Sequence, residues 1–202
     1  MIEVEIKVAI DDALKLRELF QKNGGKYVIS LNHEDTYYNM PEGLRDFRKT
    51  DEALRIRKSE AFHIEKKEPP SEARYFITYK GKKMDETTKT RQEIESKIEN
   101  GAHFKEILKA LGFREVFTVK KERELYNFIF QGKPIEALID YLPILKQHFI
   151  EVEYATEDPD KIDDVKEILF EFLRTLGISK EESIRKSYLE LIADKFKKKS
   201  KK

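Results

Sequence analysis

Charged residues recur at every second position in stretch after stretch of this chain, with apolar residues between them, and few folds can accept that pattern. At the N-terminus Glu3, Glu5 and Lys7 alternate with Ile2, Val4, Ile6 and Val8. Arg55 and Arg57 flank Ile56, Lys80 closes an alternating run, and Arg91, Glu93 and Glu95 share a face opposed by Ile94. Lys121 and Arg123 repeat the pattern, Asp140 ends an apolar run, and Glu151 and Glu153 alternate with Ile150, Val152 and Tyr154. A period of two is that of a β-strand, so each stretch offers one charged and one apolar face. A single strand of this kind is a solvated edge. Many of them, with acids and bases mixed on the charged faces, describe a polar interior.

Taken in order, the chain reads as strands with a few helices. After the first strand, Asp11 is a fitting N-cap for a helix carrying Leu14, Leu16, Leu19 and Phe20, which Gly24 and Gly25 stop. A long strand over 26–40 holds Asp35 and Tyr37; 41–50 reads as a loop with a short helical turn. Strands follow at 53–58 and 62–68, a break at Pro69-Pro70-Ser71, and a strand at 74–80. The polar stretch 82–89 lacks a period and reads as a mobile loop able to gate a site. A strand over 90–99 leads to a helix over 103–111 ended by Gly112, then strands at 114–123, 124–130, 135–141 and 148–155. The chain then turns helical, with a stripe from Ile162 to Leu176 stopped by Gly177, and Ser179 with Glu182 forms a capping box for a last helix bearing Ile184, Tyr188, Leu191 and Ile192. The strand-helix-strand unit occurs twice, a weak internal duplication.

These elements predict an α+β fold: a closed antiparallel β-barrel of about eight strands, charged faces inward, with helices packed on its apolar outer face. At 202 residues the chain is one domain, 1–196, with a basic disordered tail over 197–202. Lys and Arg number 40 against 39 Asp and Glu, so the molecule as a whole is no general nucleic-acid binder. The absence of Cys removes disulfides and thiolate chemistry. With no apolar stretch of membrane-spanning length and no signal-peptide core, the expected location is cytoplasmic. Charged residues at 39%, without Cys or Trp, match the usage of heat-adapted proteins. His33, His63, His103 and His148 form no metal-spaced cluster and are expected on surfaces or near strand ends, and no glycine-rich phosphate loop is present.

A charged interior is costly to bury without pairing or a ligand. The competing reading, an exposed sheet face crossed by salt bridges, needs no ligand. The residue types favour a ligand. Lys7, Arg55, Arg57, Lys80, Arg91, Lys121 and Arg123 supply positive charge suited to phosphate. Glu3, Glu5, Glu93, Glu95, Asp140, Glu151 and Glu153 are hard oxygen donors suited to Mg²⁺ or Mn²⁺. The two sets balance, so a triphosphate of roughly four negative charges would enter with about two divalent cations.

The ordered series E-x-E-x-K at Glu3, Glu5 and Lys7, R-x-R at Arg55 and Arg57, Tyr79-Lys80, R-x-E-x-E from Arg91 to Glu95, K-x-R at Lys121 and Arg123, Asp140, and E-x-E at Glu151 and Glu153 resembles the CYTH family, the triphosphate tunnel metalloenzymes. Lys186-Ser187-Tyr188 with Glu190 and Leu191 is similar to the C-terminal helix of its cyclase-like members. The resemblance implies a tunnel holding a triphosphate and a divalent metal. It gives Lys7, Arg55, Arg57, Lys80, Lys121 and Arg123 as triphosphate ligands, joined by Arg91 unless that residue pairs with acids. It gives Glu5, Asp140, Glu151 and Glu153 as metal ligands, with Glu3, Glu93 and Glu95 as further ligands or their partners. Glu5, Lys80 and Glu153 are the expected catalytic residues. The family includes both cyclases and triphosphatases; hydrolysis of tripolyphosphate, ATP or another organic triphosphate is the expected activity, because it asks only for the tunnel and water. Alternatives are a class IV adenylyl cyclase and a non-catalytic binder of polyphosphate or RNA 5′ ends. No membrane partner is expected, and a homodimer is left open.

Overall fold

A computed structural model describes residues 1–62 and 72–199. It contains β1 (Ile2–Ile10), α1 (Ala13–Lys22), β2 (Lys26–Asn39), α2 (Phe47–Thr50), β3 (Ala53–Phe62), β4 (Arg74–Lys80), β5 (Arg91–Ile98), α3 (Gly101–Ala110), β6 (Arg114–Phe130), β7 (Lys133–Leu142), β8 (Gln147–Thr156), α4 (Ile162–Thr175) and α5 (Tyr188–Lys199). The strands close into a barrel in the order β1-β5-β4-β3-β2-β6-β7-β8, all neighbours antiparallel. The seam between β1 and β5 is the shortest, two residue pairs, Ile2 with Gln92 and Glu3 with Arg91, and it closes the barrel.

Exchanging β1–β4 for β5–β8 leaves the neighbour list unchanged, so the connectivity repeats as the duplicated strand-helix-strand units predict. The two long strands, β2 and β6, lie side by side at the join.

Period-two alternation becomes an inside and an outside. On β1, Val4, Ile6 and Val8 point outward and meet Leu16 and Phe20 of α1 and Leu169, Phe172 and Leu173 of α4. Ile135, Ala137 and Ile139 of β7 and Ile150 and Val152 of β8 complete that core. Fully burying each such large side chain stabilises by roughly 1.5–3 kcal/mol, which holds the helices on the barrel's outer face. A second cluster packs Tyr188 and Ile192 of α5 on Val119, Leu142 and Phe149, and a third packs Leu108 of α3 on Ile56 and Tyr38.

Several boundaries differ from the sequence reading. Asp12, not Asp11, caps α1, its side chain accepting from the Lys15 N–H. At the other end of α1 the chain reverses through Gly24 at φ +81°, and Gly25 lies so close to Phe128 that a Cβ would stand 2.4 Å from its ring. The strands expected at 114–123 and 124–130 are one 17-residue strand, because no turn residue interrupts them and β2 and β7 pair along it. The strand expected at 62–68 lies outside the described residues beyond Phe62, and so does His63. Ser179 and Glu182 do make a capping box, but it caps a single 3₁₀ turn, Lys180–Glu182. A second such pair opens α5: the Ser187 N–H donates to Glu190 and the Glu190 N–H to Ser187 Oγ, at 2.7 and 3.2 Å. Helix α5 runs to Lys199, into the stretch expected as tail.

Candidate active site inside the barrel

A cavity of about 1030 Å³ occupies the barrel interior. Its wall includes Glu3 and Glu5 of β1, Arg55 and Arg57 of β3, Lys80 of β4, Arg91, Glu93 and Glu95 of β5, Lys121 and Arg123 of β6, and Glu151 and Glu153 of β8. The structure thus brings the predicted residues from strands far apart in sequence to one chamber. Lys7 and Asp140, also predicted, are fully buried and support this wall through Glu151 and Lys121.

Glu3, Glu5 and Glu153 each place a carboxylate oxygen within 4.8 Å of the others. The β1–β8 register sets Glu5 opposite Glu153, and strand alternation returns Glu3 to the same face. Crowded, dehydrated carboxylates resist ionising. Burial, and then the neighbouring Glu151, push the Glu5 carboxyl up to about 7. Burial and the charges of Glu3 and Glu5 raise Glu153 well above the carboxylate range although Arg123 opposes them, and burial raises Glu3 against the pull of Lys80. Three converging carboxylates with one cation bonded among them, Lys89 on Glu5, are a set of hard oxygens fitted to Mg²⁺ or Mn²⁺.

The other acids predicted as metal ligands are each held by cations, because the register levels them with basic neighbours. Lys80 stands opposite Glu93 and bonds it. Glu95 accepts from Arg55 at 3.3 Å and from Thr78 at 2.7 Å. Glu151 pairs with Lys7 at 3.4 Å, Lys89 at 3.1 Å and Arg123. Asp140 receives two bonds from Arg123, each 2.6 Å, one from Lys121 at 2.9 Å and one from the Tyr188 hydroxyl at 2.8 Å. Burial works against ionising Glu151, but Lys89 and Lys7 hold it well below the usual range. Arg91 turns to the Gly81 carbonyl at 3.3 Å, and bonds no acid among the described contacts.

The basic side chains form two supported arms. Asp35 of β2 holds Arg57 by two bonds, 2.7 and 2.8 Å, and Arg55 at 3.5 Å. Asp140 of β7 holds Lys121 and Arg123 in the same way. Each arm presents fixed guanidinium or ammonium groups to the cavity, the arrangement that binds polyphosphate oxygens. Burial lowers the Lys121 ammonium to about 8, with Arg123 adding to it, and lowers Lys7 to about 7 with help from Lys89.

Several wall residues escaped the sequence reading. Asp35 and His33 are buried at 3% and 4% exposure, and His33 lies mid-strand inside the barrel, not on a surface or at a strand end. The pattern H-E-D-T-Y is polar on both faces of β2, so alternation alone does not say which face is inward. Lys89 lies in the stretch expected to be a mobile gate. Instead its Nζ bonds Glu5 and Glu151 and its N–H donates to the Glu5 carbonyl at 2.9 Å. The same stretch is tied down by Lys83 on Asp51 at 2.7 Å, Lys166 on Asp85 at 2.9 Å and Ser183 on the Thr87 carbonyl at 2.8 Å. An aperiodic polar loop carries no signal of such ties. His103 is exposed and His148 lies half-buried at the start of β8, as expected.

The model of the CYTH domain matches residues 1–188. The chain belongs to the CYTH family. Enzymes of this family depend on a metal and take nucleoside triphosphates as substrates, and a carboxylate cluster fitted to such an ion stands in the barrel here. A protein of Methanocaldococcus jannaschii named "Putative adenylate cyclase" is 45% identical over 191 residues, 95% of this chain and 98% of that one. The solved structure of the PH1819 protein from Pyrococcus horikoshii OT3 is 38% identical, with a TM-score of 0.80 over 96% of this chain and 99% of that one. HpAC1 from Hippeastrum, a protein with a dominant triphosphatase activity, shares the CYTH fold at 18% identity, with a TM-score of 0.56 over 87% and 88% of the two chains. Among the described residues no helix is long and apolar enough to cross a membrane.

Proposed function

We propose that this CYTH protein is a divalent-metal-dependent phosphohydrolase that binds tripolyphosphate or a nucleoside triphosphate in the barrel and hydrolyses its terminal phosphoanhydride. The observation that carries this reading is the carboxylate cluster of Glu3, Glu5 and Glu153 sharing one chamber with the arms built on Asp35 and Asp140. Arg55, Arg57, Lys121 and Arg123, with Lys7 behind them, bind and orient the polyphosphate chain. Glu3, Glu5 and Glu153 would hold Mg²⁺ or Mn²⁺, which when bound supplies charge for the phosphate oxygens and lowers the pKa of water. Water attacks the terminal phosphorus, a new P–O bond forms, and the bridging P–O bond breaks with its electrons going to the leaving phosphate, which takes up the proton the water releases. Lys80, fixed beside Glu93, lies on the wall where it offsets that charge.

A second reading, adenylyl cyclase, draws on a specific feature. Ile29, Leu31, Ala61, Phe76 and Leu125 line part of the same cavity, an apolar surface suited to a nucleobase. The name of the Methanocaldococcus jannaschii relative points the same way. The deciding experiment incubates the protein with ATP and separately with tripolyphosphate, each with Mg²⁺ or Mn²⁺, and resolves the products. Orthophosphate supports the hydrolase; cyclic AMP with pyrophosphate replaces it by the cyclase. Triphosphate binding with neither product leaves a binding module.

A further inference from the structure

Buried polar atoms in folded proteins nearly always have a hydrogen-bond partner, and one left without a partner loses about 1–3 kcal/mol of solvation. Among the described residues two buried side-chain atoms lack one: Nδ1 of His33 and Nε of Arg55. Both residues line the central cavity. Arg55 belongs to the arm that the proposed function assigns to phosphate, so the second orphan marks a further group on the same wall.

The position of His33 strengthens this. The β-register sets it opposite Ser59 of β3 and Lys121 of β6, one inward position from Asp35 and its partner Arg57. In the other direction the next inward residue is Leu31, where the apolar lining begins. His33 therefore stands where the charged belt ends. The charged groups acting on the ring are Arg57, Lys121, Asp35 and Arg123; burial first, and then Arg57, keep the imidazole well below its ordinary range and uncharged. An uncharged ring beside three cations can donate one hydrogen bond without adding to their repulsion.

We propose that His33 is a further substrate-binding residue, its ring N–H donating to a non-bridging oxygen of the phosphate nearest the apolar end of the cavity. This rests on the reading of the barrel as a polyphosphate site. In a nucleoside triphosphate the phosphate at that end is the one carrying the organic group; in tripolyphosphate it is a terminal one. His33 then marks the junction between the phosphate chain and whatever is attached to it.

The test measures tripolyphosphate affinity by calorimetry for the full chain and for His33→Leu, His33→Gln and Arg57→Ala, with melting curves to verify folding. His33→Leu is expected to weaken binding about tenfold, and His33→Gln, which keeps a donor, to recover most of it. Wild-type affinity in His33→Leu together with a loss in Arg57→Ala overturns the role of His33 and leaves the tunnel reading standing. Unchanged affinity in both overturns the tunnel reading itself. Equal losses in His33→Leu and His33→Gln overturn the hydrogen bond. Should His33→Leu not fold, the ¹⁵N resonances of the wild-type imidazole decide: they move on adding tripolyphosphate if the ring contacts it, and stationary resonances overturn the proposal.

Discussion

Asp35 grips Arg57 with both carboxylate oxygens, at 2.7 Å to Nε and 2.8 Å to Nη2, inside a barrel where the acid is 3% exposed. Burial opposes the charge on Asp35, but Arg57 and then Arg55 hold its carboxyl well below the usual range. On the other half of the barrel Arg123 and Asp140 repeat the pairing, with both contacts at 2.6 Å. In both arms a buried acid on one strand aims basic side chains on its neighbour.

The pairing sets the outcome of Arg57→Ala. Tripolyphosphate affinity should fall roughly 10–100-fold, the worth of a charge-assisted contact. Stability should also fall by about 3 kcal/mol, because Asp35 keeps only the longer contact to Arg55. Asp35→Asn in the same chain should restore the melting temperature without restoring affinity. Calorimetry and thermal melts separate the two effects; affinity returning with stability would remove Arg57 from the site.

Glu153→Gln removes one oxygen donor from the carboxylate cluster. Metal-dependent turnover should drop about 100-fold or more, while the metal-free protein should melt higher at pH 8 because Gln removes a carboxyl whose ionisation the folded state disfavours. Full activity with Mn²⁺ in this variant would end the assignment of the cluster to metal.

The pH response follows from Glu5. Its folded carboxyl titrates at about 7 against 4.5 when unperturbed, so the folded chain binds this proton more tightly than the unfolded one. Its contribution is full below pH 4.5 and is lost as pH rises to about 7. Asp35 and Glu151, which are depressed, lose their contribution only at more acid pH, and Lys7, lowered from 10.5 to about 7, is relieved only as pH rises from 7 to 10.5. Glu3 and Glu153, also raised, act with the same sign as Glu5, so between pH 5 and 7 the response is that of the carboxylate cluster. Mn²⁺ affinity should weaken as pH falls from 7.5 to 5.5, and Mn²⁺ should raise the melting temperature more at pH 7.5 than at pH 5.5. Titration calorimetry and melts at both pH values provide the check; equal affinities would contradict the shift.

Tyr188 joins α5 to the site: its hydroxyl donates to Asp140, and its ring centroid lies 3.7 Å from the Lys7 Nζ and 5.0 Å from the Lys121 Nζ. Tyr188→Phe keeps the ring and should lower stability by about 1 kcal/mol, leaving Asp140 with Lys121 and Arg123. Tyr188→Ala also loses the ring packing on Phe149 and should cost about 3–5 kcal/mol. Denaturant melts measure the difference; equal losses would show that the ring contributes nothing.

Legibility in the sequence tracked periodicity. The E-x-E-x-K of Glu3, Glu5 and Lys7 and the E-x-E of Glu151 and Glu153 are short-range signals, because alternation on a strand places such residues on one face wherever the strand lies. Both inward faces were found this way. The face of β2 was not, because His33, Glu34 and Asp35 are all polar and only its register with β3 and β6 turns His33 and Asp35 inward. Lys89 was missed for a different reason: its place beside Glu5 depends on ties to the C-terminal segment, nearly a hundred residues away, such as Ser183 to Thr87.

By itself the sequence determined most of the strands, that the barrel's charged faces turn inward, and many of the acids and bases that reach its interior. These follow from period-two alternation and the cost of burying apolar and charged faces together. Only the tertiary structure decided how the acids divide. Cross-strand register puts Asp140, Glu151, Glu93 and Glu95 beside lysines and arginines that neutralise them, and leaves Glu3, Glu5 and Glu153 converging on one another with Lys89 paired to Glu5. Register depends on closing the barrel between residues more than a hundred positions apart, such as Glu5 and Glu153, and no local pattern carries that information.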